Sequence, residues 1–183
     1  AVHRAAKTAL APPTGPVFLS LPTDVLNAEG EVALGQPTRI GPRLRGDRAA
    51  IDAAAELLVR AERPLIMAGD VVAQCDALDE LVATAELLGA PVYTEGIAST
   101  ASYPGSHPLF CGTFVRQASA IRPILAGADL LFSVGADLLT LSLPYDEDPM
   151  PPDLPIVHLD NDPWELGKNY PTRVAILGDP KAT

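Results

Sequence analysis

Three groups of small and acidic residues follow predicted strands, and they are the residues in this sequence most suited to hold a ligand. Gly69-Asp70 and Gly135-Ala136-Asp137 each come directly after an apolar run, and Asp160-Asn161-Asp162 closes a third run. Glycine at such a turn lets backbone amides approach a phosphate closely, and the start of a following helix favours an anion. The chemistry that these groups suggest is the binding of a nucleotide through its phosphates.

Ordinary tight turns are the other interpretation of these glycines, and the spacing favours it. Neither glycine group completes G-x-G-x-x-G, the pattern that identifies a dinucleotide site. The carboxylates of Asp70 and Asp137 would also repel a phosphate, unless they accept hydrogen bonds from sugar hydroxyls. We therefore expect the three groups to be cofactor-binding only if a nucleotide is bound.

The segment that joins the last two predicted strands has the most detailed local signal. One strand ends at Asp160 and the other before Gly178. Asp162 is placed to cap a helix that has Pro163 at its first position and Glu165 three residues after the cap, an arrangement that satisfies free amides reciprocally. Two strand ends and a helix start would then lie side by side, where open α/β sheets usually bind ligands.

The other reactive residues do not assemble into a catalytic or metal-binding set. His107 and Cys111 are four residues apart and His158 lies within a strand, whereas a metal site requires three or four converging ligands. No G-x-S-x-G turn marks a nucleophile, and no loop combines a carboxylate with a base. We expect no catalytic residue and no metal site in this chain. The two cysteines, Cys75 and Cys111, are predicted to be small buried or half-buried side chains.

The composition describes a globular protein that avoids polyanions. Hydrophobic residues make up 48% of the 183 residues, and the formal net charge is −10. Such a charge repels nucleic-acid backbones and anionic lipid within a Debye length of roughly 8 Å. The sequence has neither a run of about 18 apolar residues nor a charged-then-apolar leader. We therefore expect a cytoplasmic protein that binds neither nucleic acid nor membrane.

Strands and helices alternate along most of the sequence. Helices with one apolar face are predicted over residues 47–61, 75–88 and 114–125. Short apolar strands are predicted over residues 65–68, 91–94, 130–134 and 156–160 and before Gly178. Apolar strands separated by helices imply a parallel sheet that is covered on both faces. The predicted fold class is α/β, a three-layer α/β/α Rossmann-like open parallel sheet of about six strands.

The first part of the chain differs from the rest in composition. The apolar run at residues 16–21 lies between prolines and predicts a strand that belongs to a neighbouring domain. Residues 25–46 are rich in glycine and proline, which is typical of an interdomain linker, and the domain proper is predicted over residues 47–183. The sequence starts without methionine and stops just after what resembles a capped helix start, so we expect a piece of a longer protein.

Six segments, taken in order, resemble the central domain of thiamine-diphosphate-dependent enzymes, the group that contains benzoylformate decarboxylase, pyruvate oxidase and the acetolactate synthase large subunit. They are GPVFLSLPTDV at 15–25, RPLIMAGDVV at 63–72, LGAPVYT at 88–94, HPLFCG at 107–112, ADLLFSVGADL at 128–138 and VHLDNDPWELGKNYP at 157–171. The resemblance covers essentially the whole chain. It implies that residues 1–24 are the tail end of the preceding pyrimidine-binding domain.

In that family the reaction takes place outside the central domain. The activating glutamate belongs to the pyrimidine-binding domain, and a G-D-G motif that holds magnesium and diphosphate belongs to the following diphosphate-binding domain. Here the Gly-Asp pairs that start at residues 46, 69 and 178 lack the second glycine. The resemblance thus implies a structural, non-catalytic domain of an enzyme acting on 2-keto acids, inactive when isolated. Thiamine diphosphate and Mg²⁺ would be bound by the missing domains, in a full enzyme that is a homodimer or homotetramer.

Some relatives bind FAD or ADP along the strand ends of this domain, which leaves an alternative. Acetolactate synthases typically have an arginine after the Gly-Ala that follows the fourth strand, and this sequence has Asp137 there. The aspartate removes a cation expected near a diphosphate and adds repulsion. A flavin-free, benzoylformate-decarboxylase-like protein is therefore favoured over an FAD- or ADP-binding domain of the acetolactate synthase or pyruvate oxidase type. An independent nucleotide-binding regulatory module with a related sheet is the third possibility.

Overall fold

The computed structural model describes residues 1–141 and 144–183, which form two compact units, Ala1–Pro42 and Arg43–Thr183. The first unit contains helix α1, Val2–Leu10, and helix α2, Thr23–Asn27. The strand predicted at residues 16–21 is wrong, because these residues are exposed and belong to no helix or strand. A strand needs a neighbouring strand to pair its backbone groups. Residues 1–42, all of which are described, contain no strand that could serve as this partner.

The second unit is built on a six-stranded sheet in which all neighbouring strands are parallel. Its strands are β1 Pro64–Ala68, β2 Val92–Thr94, β3 Phe110–Thr113, β4 Leu130–Val134, β5 Ile156–Asp160 and β6 Val174–Leu177. Their spatial order is β3-β2-β1-β4-β5-β6. The order reverses between β1 and β4, which is the topological switch point where open parallel sheets form a crevice.

Helices cover the sheet and confirm the predicted α/β/α fold class. They are α3 Arg48–Arg60, α4 Asp70–Gln74, α5 Leu78–Leu88 and α6 Ala118–Ala126. One apolar core includes Ile66 and Phe132 of the sheet with Ala54 of α3 and Leu81 of α5. A second core includes other strand residues with Ile121 and Leu125 of α6. β1, β4 and β5 are buried along their whole length, so both faces of the central sheet are covered.

Local signals account for the helix ends. The Asp47 carboxylate accepts hydrogen bonds from the amides of Ala49 and Ala50, so the predicted start of α3 is confirmed. Gly89 ends α5 in the left-handed conformation at φ 60°, directly after the predicted helix end at residue 88. The single helix predicted over residues 75–88 is wrong in its first turn. The chain forms α4 earlier and breaks at Asp76, which has φ of 56°, before α5 begins.

The connection from β2 to α6 differs most from the prediction. Between the predicted strand at residues 91–94 and the predicted helix at 114–125 the sequence predicts no strand, yet Phe110–Thr113 is the edge strand β3. Its residues alternate between half-buried and exposed, so the strand lacks the apolar run that identified the other strands. The helix predicted from residue 114 begins at Ala118 and continues past Pro123 to Ala126. Among the described residues, no helix is long and apolar enough to cross a membrane.

Candidate functional site

The loops that follow β1 and β4 lie against each other at the switch point. The amide of Gly69 donates to Val134 O at 3.0 Å, and the amide of Val71 donates to Gly135 O at 3.2 Å. A side chain on Gly69 would overlap the Gly135 carbonyl and the backbone of Ala136, which is buried. The glycines are therefore needed for close packing of the two loops, as in the tight-turn interpretation. The space at these loops is called the switch-point crevice below.

One carboxylate joins the two loops, and it belongs to a residue that the sequence analysis did not select. Glu95 follows β2; its Oε1 accepts from the amide of Asp70 at 2.9 Å and its Oε2 from the amide of Asp137 at 2.8 Å. Its side chain is buried, with 7% of the residue exposed. Burial raises the pKa of Glu95 to about 7, although both hydrogen bonds favour the charged form. These two contacts are called the Glu95 bridge.

The carboxylate of Asp70 has its own partners in the loop that follows Glu95. It accepts from the amide of Ser99 at 2.8 Å, and from the amide and hydroxyl of Thr100 at 2.9 and 2.8 Å. Burial opposes ionisation of Asp70, but these hydrogen bonds outweigh it and lower the pKa. Asp70 thus fixes the loop that follows Glu95.

The carboxylate of Asp137 also has partners on its own side of the crevice. Its Oδ1 accepts from the Thr140 hydroxyl at 2.6 Å and lies 3.1 Å from Lys168 Nζ. Lys168 is shared with Glu165, whose Oε2 is 2.8 Å away. The hydrogen bond from Lys168 to Glu165, followed by that to Asp137, raises the pKa of the lysine despite its partial burial. The lysine therefore compensates part of the charge of Asp137.

A small pocket adjoins the Glu95 bridge. It encloses about 50 Å³ and is lined by Glu95, Asp137, Phe114 and Arg116, among others. The Arg116 side chain passes over Gly96, and its Nη2 donates to Thr140 O at 2.7 Å. A pocket for a drug-sized ligand or cofactor has roughly 300–1,000 Å³, whereas a water needs only about 10–15 Å³. The pocket in this conformation is of a size for water and not for a nucleotide.

The third predicted group, Asp160-Asn161-Asp162, does not join this crevice. Among the described residues, these three make no hydrogen bond to the loops after β1 and β4. Asp160 is buried, which raises its pKa to about 6, and it accepts from the amide of Asp162 at 2.8 Å. Asn161 Nδ2 contacts the Cys75 sulfur at 3.5 Å instead.

The helix predicted after Asp162 is wrong. The Asp162 carboxylate accepts from the amide of Trp164 at 2.9 Å, but the chain then forms turns. The Glu165 carboxylate binds Lys168 rather than the backbone of the capping residue. The capping box is therefore half-formed, because its second carboxylate is paired with Lys168, which also pairs with Asp137 after β4.

A second polar cluster lies at the ends of β5 and β6. Arg43 donates to both carboxylate oxygens of Asp179 at 3.0 Å and also to Cys75 O. Asp179 is 1% exposed and accepts from the amides of Lys181 and Ala182 at 2.8 and 3.1 Å. With Asn161, these residues are called the Arg43 cluster. The cluster joins the residues just before α3 to the residues just after β6.

The cysteines and histidines have separate environments. Cys75 is buried, as predicted, and burial raises its pKa to about 12. Cys111 is exposed, which contradicts the prediction, because it lies on the outward side of the edge strand β3. His107 contacts the Tyr103 hydroxyl at 3.1 Å, and His158 is completely buried. Within the described residues, no three metal-ligating side chains converge.

Comparison with known proteins relates this fold to one family. The sequence profile described as "Thiamine pyrophosphate enzyme, central domain" matches residues 51–183. Sulfoacetaldehyde acetyltransferase of Castellaniella defragrans is 37% identical over 174 residues, which cover 92% of this chain and 28% of that protein. The acetolactate synthase large subunit of Corynebacterium glutamicum is 34% identical over 175 residues, covering 90% of this chain and 27% of that protein.

A solved structure has the same architecture. Benzoylformate decarboxylase from Polynucleobacter necessarius matches with a TM-score of 0.86 and 26% identity, over 99% of this chain and 34% of that chain. The present chain thus spans less than a third of the length of the curated relatives that it matches. The profile match covers the whole sheet, from α3 to the residues after β6. The chain belongs to the family of thiamine pyrophosphate enzyme central domains.

Proposed function

We propose that this chain is the structural, non-catalytic central domain of a larger thiamine-diphosphate-dependent enzyme acting on 2-keto acids. Residues 1–24 would be the tail end of the pyrimidine-binding domain, residues 25–46 the linker, and residues 47–183 the central domain. Thiamine diphosphate and Mg²⁺ would be held by the pyrimidine-binding and diphosphate-binding domains of the same polypeptide. The full enzyme is proposed to be a cytoplasmic homodimer or homotetramer.

The Glu95 bridge is the main observation in support of a structural role for this domain. A nucleotide-binding domain of this fold receives phosphates at the switch point, on backbone amides of the loops after the strands. Here the amides of Asp70 and Asp137 donate to a carboxylate of the same chain. The crevice is thus occupied by internal contacts, which supports a domain that is not a cofactor site. The eight predicted cofactor residues then have structural roles in turns and loop packing.

The reaction of the whole enzyme has two candidates. The structural match to a benzoylformate decarboxylase supports decarboxylation of a 2-keto acid. The identity of 37% to a sulfoacetaldehyde acetyltransferase and 34% to an acetolactate synthase supports transfer of an acetyl group or synthesis of acetolactate instead. Assays of the full-length enzyme for decarboxylation of benzoylformate, for acetyl transfer with sulfoacetaldehyde and for formation of acetolactate would separate the two.

A nucleotide titration of residues 1–183 tests the structural role. FAD, ADP and NAD are each titrated into the purified chain by calorimetry, and the chain is assayed for decarboxylation with added thiamine diphosphate and Mg²⁺. We expect no tight binding of any nucleotide and no turnover. Stoichiometric FAD with its visible absorbance would instead establish the flavoprotein alternative, tight binding of ADP or NAD would establish the regulatory module, and turnover would contradict a non-catalytic domain.

A further inference from the structure

We propose that the Glu95 carboxylate occupies an anion-binding position of this chain, and that this side chain determines the exclusion of diphosphate-bearing nucleotides from the switch-point crevice. The inference deepens the proposed structural role by assigning the exclusion to one residue. It predicts a latent site for pyrophosphate or ADP that appears when the Glu95 side chain is shortened.

The geometry of the Glu95 bridge is that of a bound oxyanion. Two amides from loops that are far apart in sequence converge on the two oxygens of one carboxylate, at 2.9 and 2.8 Å. Backbone amides in such an arrangement also bind phosphate oxygens, because both acceptors present paired anionic oxygens at similar spacing. Glu95 is 7% exposed, so the position is built into the protein and is not a surface contact.

The glycine pair beneath the bridge allows the two amides to converge. Gly69 and Gly135 pack the loops so closely that a side chain at either position would collide with the opposite loop. The donors are therefore held by the sheet and do not depend on Glu95 alone. Loss of the carboxylate would leave two part-buried backbone donors without this partner, which is unfavourable unless water or another anion replaces it.

The charges that face Glu95 have partners of their own. After burial, the nearby carboxylates of Asp70 and Asp137 contribute to the raised pKa of Glu95, and Asp137 lines the adjoining pocket. Thr100 donates to Asp70 and Lys168 pairs with Asp137, which offsets part of their repulsion toward an external anion. Arg116 also lines this pocket and supplies a positive charge for a phosphate. Removing Glu95 deletes one negative charge and opens its position toward this pocket.

The test compares binding of ADP and of pyrophosphate to wild type, Glu95→Ala and Glu62→Ala by calorimetry. Glu62 is exposed, and its substitution removes the same charge far from the crevice. We expect Glu95→Ala to bind both probes at least tenfold more tightly than wild type, and Glu62→Ala to behave as wild type. A folded Glu95→Ala that gains no affinity, or an equal gain in Glu62→Ala, would overturn the inference.

A measurement on wild type keeps the inference testable if Glu95→Ala does not fold. The amide resonances of residues 70 and 137 are followed by NMR while pH is varied, together with the carboxyl carbon of Glu95. All three should titrate with one midpoint, and added pyrophosphate should leave both amides unshifted. Separate midpoints, or an amide shift with pyrophosphate, would refute occupation by Glu95.

The outcomes separate this inference from the proposed function. Wild type that binds ADP tightly contradicts both, because the crevice would then be a working nucleotide site. Wild type and Glu95→Ala that both fail to bind leave the structural role intact and refute only the assignment to Glu95.

Discussion

Two buried titratable residues have pKa values shifted in opposite directions. Burial raises the pKa of Glu95 to about 7, and burial lowers that of His158 to about 4. Glu95 has two hydrogen-bond donors, whereas neither ring nitrogen of His158 has a partner among the described residues. In both cases a low-dielectric environment disfavours the charged form, so both residues link stability to pH.

Glu95→Gln should change the pH dependence of stability. The folded-state pKa of Glu95, about 7, exceeds the ordinary value of 4.5, so its protonation favours the folded state below about pH 4.5 and this contribution is lost as pH rises through 7. The free energy of unfolding of wild type, relative to that of Glu95→Gln, should fall by about 3 kcal/mol between pH 4.5 and pH 8. Urea denaturation measures this difference. A difference that is constant with pH would contradict the shift, and Glu62→Gln serves as the control.

His158→Leu should make the protein less sensitive to acid. The pKa of His158 is lowered from 6.5 to about 4, so the unfolded state binds the proton more readily and the folded state is destabilised as pH falls through this range. Between pH 7 and pH 4.5, wild type should lose roughly 2 kcal/mol more unfolding free energy than His158→Leu. The control is His3→Gln, at an exposed position. Equal losses in wild type and His158→Leu would show that His158 is protonated without cost in the folded state.

The crevice residues show what single-residue signals can predict. Asp70 and Asp137 are predictable from sequence because they follow apolar strands, and the parallel sheet brings them to one site. Glu95 stands in an equivalent place after Thr94, but its role depends on the strand order, which places β2 next to β1 and β1 next to β4. Local sequence does not contain this order, so the partner of the two loops could not be identified from it.

At the scale of elements, the close contact between the turns after β1 and β4 sets the shape of the crevice. Gly69→Ala should therefore destabilise the protein by about 2 to 3 kcal/mol, because the new methyl group overlaps backbone atoms that cannot move independently. Gly105→Ala is the matched control, since its methyl group would have only Phe110 near it, at 3.9 Å. Chemical denaturation of both variants checks this. Similar stabilities would mean that the two loops can separate without cost.

The elements differed in how readily sequence identified them. β1, β4 and β5 are continuous apolar runs because both of their faces are covered. β3 is an edge strand with alternating exposure and a glycine, so its sequence resembles a loop. The break before α5 depends on Asp76 in the left-handed conformation, and Asp76 also pairs with Lys181. A contact across 105 residues of chain cannot be read from a local window.

At the scale of the whole second unit, the Arg43 cluster connects the residues just before α3 to the residues just after β6. Arg43→Ala should lower the free energy of unfolding by about 2 kcal/mol, because it leaves the buried Asp179 carboxylate without its cation. Arg48→Ala removes an exposed pair with Asp52 and should cost about 0.5 kcal/mol or less. Urea denaturation and limited proteolysis near residue 43 measure both effects. Equal, small losses would mean that the ends are held by other contacts.

The attachment of these ends has a practical consequence. The amide of Asp179 donates to Leu44 O at 2.7 Å, and the amide of Gly46 donates to the Thr183 hydroxyl at 3.1 Å. Domains whose ends are adjacent can be inserted into surface loops of other proteins or circularly permuted with little distortion. Because residues 44–46 are held beside residues 179–183, the chain enters the sheet before α3 and leaves it after β6 at neighbouring points, which is the geometry that insertion into a host loop requires.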